Sequence, residues 1–289
     1  MLFGNYEFRV ELLSKIKEYE KKYKIKVIYI GTVGSISRGI TDYNSDYDVK
    51  CLFVYDDKKL LKSTERHAES IIRFREFDSN KTYNCIAFWE VSAFINFLYE
   101  PYIGSGNKYD LARNVFWLMS TPYTWDPLGL QIKLKNEIEQ CMNINNEKTY
   151  HYKNLISLLN YDIDMNNMRR TIRLLYELLS IDWIEKKASI PPINILSLLP
   201  VVINQKDKEN IFALLTNHIE KDFVDGIYKL GKNKINAYED TEYNFEYLKN
   251  NKCHIDNMFD VLNFSLKNIP IIKEVNEKNN LDENLRVIL

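Results

Sequence analysis

The chain has 289 residues and a mass of 34.4 kDa, with 45% hydrophobic and 27% charged residues, the proportions of an ordinary folded protein of two domains. Its 39 basic and 40 acidic side chains nearly cancel, which excludes a protein that coats nucleic acid by bulk charge. Four cysteines (Cys51, Cys85, Cys141, Cys253) show no paired spacing, so neither a zinc knuckle nor a disulfide framework is expected. With no long apolar run and no leader-like N-terminus, a cytoplasmic location without membrane partners is expected.

In chain order, residues 6–24 carry apolar positions (Phe8, Val10, Leu12, Leu13, Ile16, Tyr19) at helical spacing. Residues 27–31 form a β-branched run, read as a buried strand. A turn-rich stretch follows, and residues 47–55 and 83–89 read as two further strands of the same sheet. A helix is expected around 92–99 and a Gly/Pro loop at 100–107. Beyond Trp125-Asp126-Pro127-Leu128-Gly129 only two glycines remain, and helical periodicity dominates. Segments 131–143, 149–163, 166–187, 207–224 and 253–268 read as helices, with Pro191-Pro192 and Pro200 as interruptions. The expected architecture is α+β, a small mixed-sheet domain (1–130) followed by an all-helical domain (131–289).

The chemistry is concentrated after the first strand. Gly34-Ser35 stands in the turn, with Arg38 and Gly39 close behind, and ten residues beyond Ser35 comes Ser45-Asp46-Tyr47-Asp48. A glycine there lets backbone N–H groups approach a polyphosphate, and the serine hydroxyl adds a donor. Asp-X-Asp on a strand puts both carboxylates on one face, a pair suited to Mg²⁺ (or Mn²⁺) that leaves positions for water and phosphate. Lys50 shares that face and can neutralise triphosphate charge, or close a local salt bridge on Asp48. Arg38 is placed to meet a phosphate or to serve as a surface arginine.

These residues resemble the Gly-Ser…Asp-X-Asp signature of the DNA polymerase β-like nucleotidyltransferase superfamily. Gly34-Ser35 through Ser45-Asp46-Tyr47-Asp48-Val49-Lys50 is similar to the RNA-ligase-associated (YcgL-like) nucleotidyltransferases. Trp89-Glu90, Tyr150-His151-Tyr152, Arg169-Arg170-Thr171-Ile172-Arg173 and Pro191-Pro192 extend the likeness over roughly 28–200. The resemblance implies a small mixed-sheet nucleotidyltransferase domain. It implies transfer of a nucleoside monophosphate from an NTP onto an acceptor hydroxyl, an RNA 3′ end or a protein. Gly34, Ser35, Arg38, Ser45 and Lys50 would bind the nucleotide, and Asp46 and Asp48 the metal.

It also implies a third carboxylate on the next strand, where this chain offers Asn84 or Cys85. A natural two-carboxylate site, an engineered inactive variant, or an acid supplied by Glu90 or Glu76 would each account for this. Asn84 is read as occupying the third catalytic position, while Glu90 pairs at a helix start. His151, Tyr152, Arg169, Arg170 and Arg173 are candidates for contacting the acceptor, with core or solvated-surface roles as the alternative. A non-catalytic nucleotide- or RNA-end-binding module and a protein-AMPylating toxin–antitoxin relative are the alternative functions.

Overall fold

A computed structural model describes residues 6–40, 45, 47–55, 85–99, 108–160, 168–216, 221–239, 241–244 and 246–267. The Gly/Pro loop expected at 100–107, and Glu76, lie outside the described residues. The chain divides into two compact units. One holds residues 1–37, 43–141 and 246–289, the other 38–42 and 142–245. The division thus differs from a single boundary near 130, because the segment after 245 returns to the first unit.

In the first unit, helix α1 (Tyr6–Tyr23) leads through Lys24, at positive φ, into strand β1 (Ile25–Val33). A short helix α2 (Gly34–Arg38) follows, and then β2 (Asp48–Tyr55) and β3 (Cys85–Glu90). Helices α3 (Val91–Asn96) and α4 (Lys108–Ser120), the two-residue β4 (Thr124–Trp125) and α5 (Leu130–Gln140) complete this run. The sheet order is β3-β2-β1-β4; β1 is antiparallel to β2 and β4, and β2 is parallel to β3. The three strands expected at 27–31, 47–55 and 83–89 correspond to β1, β2 and β3. Among the described residues, no strand lies beyond Trp125.

Alternation divides the sheet into two faces. One face carries Val27, Ile30, Val49, Cys51, Phe53, Ile86 and Phe88, packed with Leu12, Ile16 and Tyr19 of α1. A bulge between Val27 and Tyr29 resets the register, and places Tyr29, Gly31 and Val33 opposite Leu52, Lys50 and Asp48 on the second face. Helix α4 lies against that second face. Tyr29 donates its hydroxyl to the Leu118 carbonyl (2.7 Å). A Cβ on Gly31 would come within 2.6 Å of Leu118 Cδ1. Glycine at 31 therefore sets how closely α4 can approach, and it lies inside a strand under a helix rather than in a phosphate loop.

Helix α4 is not among the elements expected from the sequence. Helix α10 (Lys252–Leu266) belongs to this unit. Asn251, buried at its start, donates to the Leu98 and Cys141 carbonyls (2.6 and 3.1 Å), and Lys133 donates to Ser265 Oγ (3.1 Å).

The second unit is helical. It contains α6 (Ile144–Leu159), α7 (Met168–Lys187), a 3₁₀ helix (Ile195–Val201), α8 (Gln205–Leu215) and α9 (Lys221–Asn236). Its core is formed by Leu155, Leu174, Leu178, Ile181, Leu198 and Leu214, among others. The single helix expected over 207–224 is two helices. Thr216 ends α8 with its hydroxyl donating to the Phe212 carbonyl (3.0 Å).

Candidate functional site

Gly34 follows β1 directly and has φ +73°, a left-handed conformation that side chains resist. The antiparallel register sets Val33 opposite Asp48, so the chain turns at Gly34 against the first residue of β2. A Cβ at Gly34 would collide with Asp48 Oδ2 and lie 3.3 Å from its Cγ. Glycine is required here twice, by its backbone angle and by the carboxylate held against it. Ser35 follows, buried in the first turn of α2, and Ser37 closes that turn by donating to the Gly34 carbonyl (3.0 Å). Ser45 is also buried.

The second face of the sheet is organised in rows. Asp48 pairs with Val33 on one side and Cys85 on the other; Lys50 pairs with Gly31 and Ala87. Lys50 is half-buried; its Nζ donates to Asn114 Oδ1 of α4 (2.9 Å) and lies 4.5 Å from the centre of the Trp89 ring. Asp46 and Asn84 lie outside the described residues. Of the two third-acid alternatives read from the sequence, Cys85 is the one at the register position beside Asp48. Among the described residues, no three His, Cys, Asp or Glu side chains converge to hold a metal ion.

Glu90 caps α3, accepting from the Ala93 amide (2.9 Å) and the Ser92 hydroxyl (3.0 Å), as expected for an acid at a helix start. It lies on the opposite face from Asp48 by the alternation of β3.

The remaining candidates have partners inside the helical unit. Arg38 lies 5.9 Å from the Tyr176 ring. His151 is 0% exposed; its Nδ1 lies 2.5 Å from Glu177 Oε2 and its Nε2 3.2 Å from Glu147 Oε1. Both ring nitrogens face carboxylates, Glu147 on α6 and Glu177 on α7, so the ring ties the two helices together. A group so enclosed does not meet an acceptor.

Tyr152 is buried, stacked on Tyr238 (4.0 Å between centroids, 6° between planes), with its hydroxyl donating to Glu185 (3.3 Å). Burial and the Glu185 charge push its phenol up to about 12. Arg170 donates to the Leu158 carbonyl in the last turn of α6 (Nε, 3.0 Å). Arg169 is half-buried and Arg173 exposed. Position 170 thus serves helix packing.

A cavity of about 630 Å³ in this unit is lined by Lys148, Tyr152, Glu185, Lys234 and Tyr238, among others. Its lysines already meet carboxylates: Lys234 on Glu185 (2.5 Å) and Asp182 (2.9 Å), Lys148 on Glu185 (3.2 Å).

Burial raises the thiols of Cys51, well above the usual range, and Cys141, to about 12, so neither is a reactive nucleophile. Among the described residues, no helix is long and apolar enough to cross a membrane.

Sequence comparison bears on the first unit. Residues 8–99, from α1 through the end of α3, match the model of the RNA repair pathway DNA polymerase beta family (RlaP). No curated protein matches the chain.

Proposed function

We propose, from the match of residues 8–99 to the model of the RNA repair pathway DNA polymerase beta family, that this chain moves a nucleoside monophosphate from an NTP onto an RNA 3′ hydroxyl, releasing pyrophosphate. The observation that carries this reading is the Gly34 turn: positive φ, and a carboxylate seated where any side chain would stand. A turn of that kind serves a site in which backbone amides and an acid must both meet one ligand. The RNA acceptor follows the description of the matched family, an RNA repair pathway.

The donor set suits a hard divalent cation, since Asp48 supplies carboxylate oxygen and Asp46 stands two positions before it. Mg²⁺ or Mn²⁺ bound there supplies charge stabilisation for the phosphoryl group. The chain's own residues do the rest. Gly34 and Ser35 orient the triphosphate through backbone N–H and hydroxyl donors. Lys50 offsets its charge from the same face as Asp48. Gly34 keeps the Asp48 carboxylate in place by leaving it room.

A second reading has a specific observation behind it. Cys85, not an acid, pairs with Asp48 across the parallel β2–β3 ladder. A thiol there is a poor general base toward a hydroxyl, which favours a module that binds a nucleotide or RNA end without transfer.

The test is transfer of label from each α-labelled NTP to an RNA with a free 3′ hydroxyl, with and without Mg²⁺ or Mn²⁺. The control is the Asp46→Ala/Asp48→Ala double variant. Metal-dependent transfer lost in the folded double variant is the expected result. Transfer that survives the double change refutes the site. Metal-dependent NTP binding without transfer selects the second reading.

A further inference from the structure

We propose that Asn114 is a positioning residue that fixes the Lys50 ammonium on the Asp48 face, ready for the triphosphate of the donor nucleotide. The inference rests on the nucleotide-binding reading of that face. Its geometry is independent of that reading, and starts at Gly31.

Lysine in the middle of a strand has a long, flexible stem, and nothing in its own backbone fixes where the charge goes. Here the row across the sheet decides. The neighbours of Lys50 on either side are Gly31 and Ala87, the two smallest residues available. They leave a trough over which the lysine stem can lie.

The absent side chain at Gly31 also lets α4 settle on the sheet. A Cβ there would meet Leu118 Cδ1 at 2.6 Å and Thr121 Cγ2 at 3.2 Å, and the Tyr29 hydroxyl binds the Leu118 carbonyl from the next row. Asn114 is one helical turn before Leu118, so it projects from the same side of α4. The docking that brings Leu118 over Gly31 therefore brings Asn114 over Lys50. The result is a hydrogen bond of 2.9 Å from Nζ to Oδ1. The Trp89 ring, 4.5 Å from Nζ, supplies a second, non-directional hold.

An asparagine is the appropriate partner chemically. Its amide oxygen accepts from an ammonium without neutralising it, whereas an aspartate in the same place would cancel the charge. The bond to Asn114 fixes the position of the ammonium without itself cancelling the charge. Pre-organised cations bind phosphate better than freely moving ones, because less side-chain freedom remains to be lost on binding. Asn114 thus acts on the nucleotide through Lys50, without touching it.

The experiment measures the dissociation constant of Mg–ATP by equilibrium dialysis for the full-length wild type, Asn114→Ala, Lys50→Met and the double variant. Asn114→Ser serves as a second truncation should the alanine variant fold poorly. Asn114→Ala is expected to weaken binding about fivefold and Lys50→Met about tenfold, the scale of one net hydrogen bond.

In the Lys50→Met background the Asn114 change is expected to have no further effect. That non-additivity is a readout a merely structural role would not give. The inference is overturned if Asn114→Ala and Asn114→Ser bind Mg–ATP as the wild type does. It is equally overturned if the Asn114 loss is the same with and without Lys50. In both cases a wild type that binds leaves the nucleotide reading intact. A folded wild type that binds no Mg–ATP overturns both together.

Discussion

Two glycines in this chain share a backbone conformation and differ in surroundings, which makes Gly34 open to a clean test. Gly34 has φ +73° and Gly129 has φ +65°. Alanine at either position would take a left-handed conformation, at a cost of roughly 1–2 kcal/mol. At Gly129 that is the whole effect, since the nearest atom to a new Cβ is Lys133 Cε at 3.9 Å. At Gly34 the new methyl would also occupy the space of Asp48 Oδ2.

The β1–β2 register holds Val33 opposite Asp48, so relief must come from turning the carboxylate. A side chain driven about 30° off its rotamer adds roughly 0.5–1.5 kcal/mol. Gly129→Ala is therefore expected to lose about 1–2 kcal/mol of unfolding free energy. Gly34→Ala is expected to lose about 1 kcal/mol more.

The functional gap should be far wider than that. Displacing a carboxylate by about 1 Å in a preorganised site can reduce rate about a hundredfold. Urea unfolding and the Kd of Mg–ATP, measured on both variants, separate the two effects. The reasoning predicts wild-type affinity for Gly129→Ala and affinity weakened about tenfold or more for Gly34→Ala. Equal affinity in the two variants would refute the claim that Gly34 exists to make room for Asp48.

Other outcomes follow from the same geometry. Cys85→Asp should raise metal-dependent transfer and Mg²⁺ affinity more than Asn84→Asp does, because position 85 pairs with Asp48; the reverse order, in labelled transfer assays, would restore Asn84 to the third position. His151→Phe leaves Glu147 and Glu177 buried and facing no cation from that residue, so it should destabilise the chain by about 3–5 kcal/mol in urea unfolding, while leaving the Kd of Mg–ATP unchanged. Burial alone would raise the Glu185 carboxyl, but hydrogen bonds from Lys234 and Lys148 outweigh it and hold it below the ordinary carboxylate value of 4.5. Its contribution is therefore present above that value and is lost as pH falls through its lowered folded-state value. The stability gap between wild type and Lys234→Met, from urea midpoints, should narrow as pH falls below 4.5; a gap constant with pH would show that Lys234 acts there only through packing.

The sheet is legible in the sequence because its strands are β-branched runs punctuated by glycine, and period two assigns their faces except across the bulge between Val27 and Tyr29. Helix α4 is not. Its residues follow a Gly/Pro-rich stretch, and its role depends on a single missing side chain at Gly31, two strands away in the sheet order from β3. Pattern does not separate His151 as a ligand from His151 as a core residue. Its partners lie at one helical turn (Glu147) and across to α7 (Glu177), and only the first spacing is local. Unit boundaries are hardest of all, since a return of α10 to the first unit leaves no mark in composition.

The third-acid question shows how a one-residue ambiguity becomes a functional one. Asn84 and Cys85 are neighbours, and chemical shape favours asparagine because it is isosteric with aspartate. On β3, however, it is Cys85 whose register position pairs with Asp48. The parity of β3 is set downstream, where Ile86 and Phe88 join the α1-side core and Glu90 caps α3 on that same alternation. Position 85 is then on the face of Asp48 and Lys50, alongside Ala87 and Trp89. The register thus pairs the carboxylate's position with a cysteine. On the proposed reading, an acid at that position would complete the constellation of a nucleotidyltransferase, and a thiol there would leave a weaker means of activating the acceptor. The outcome of Cys85→Asp therefore separates an enzyme lacking one group from a binding module that never needed it.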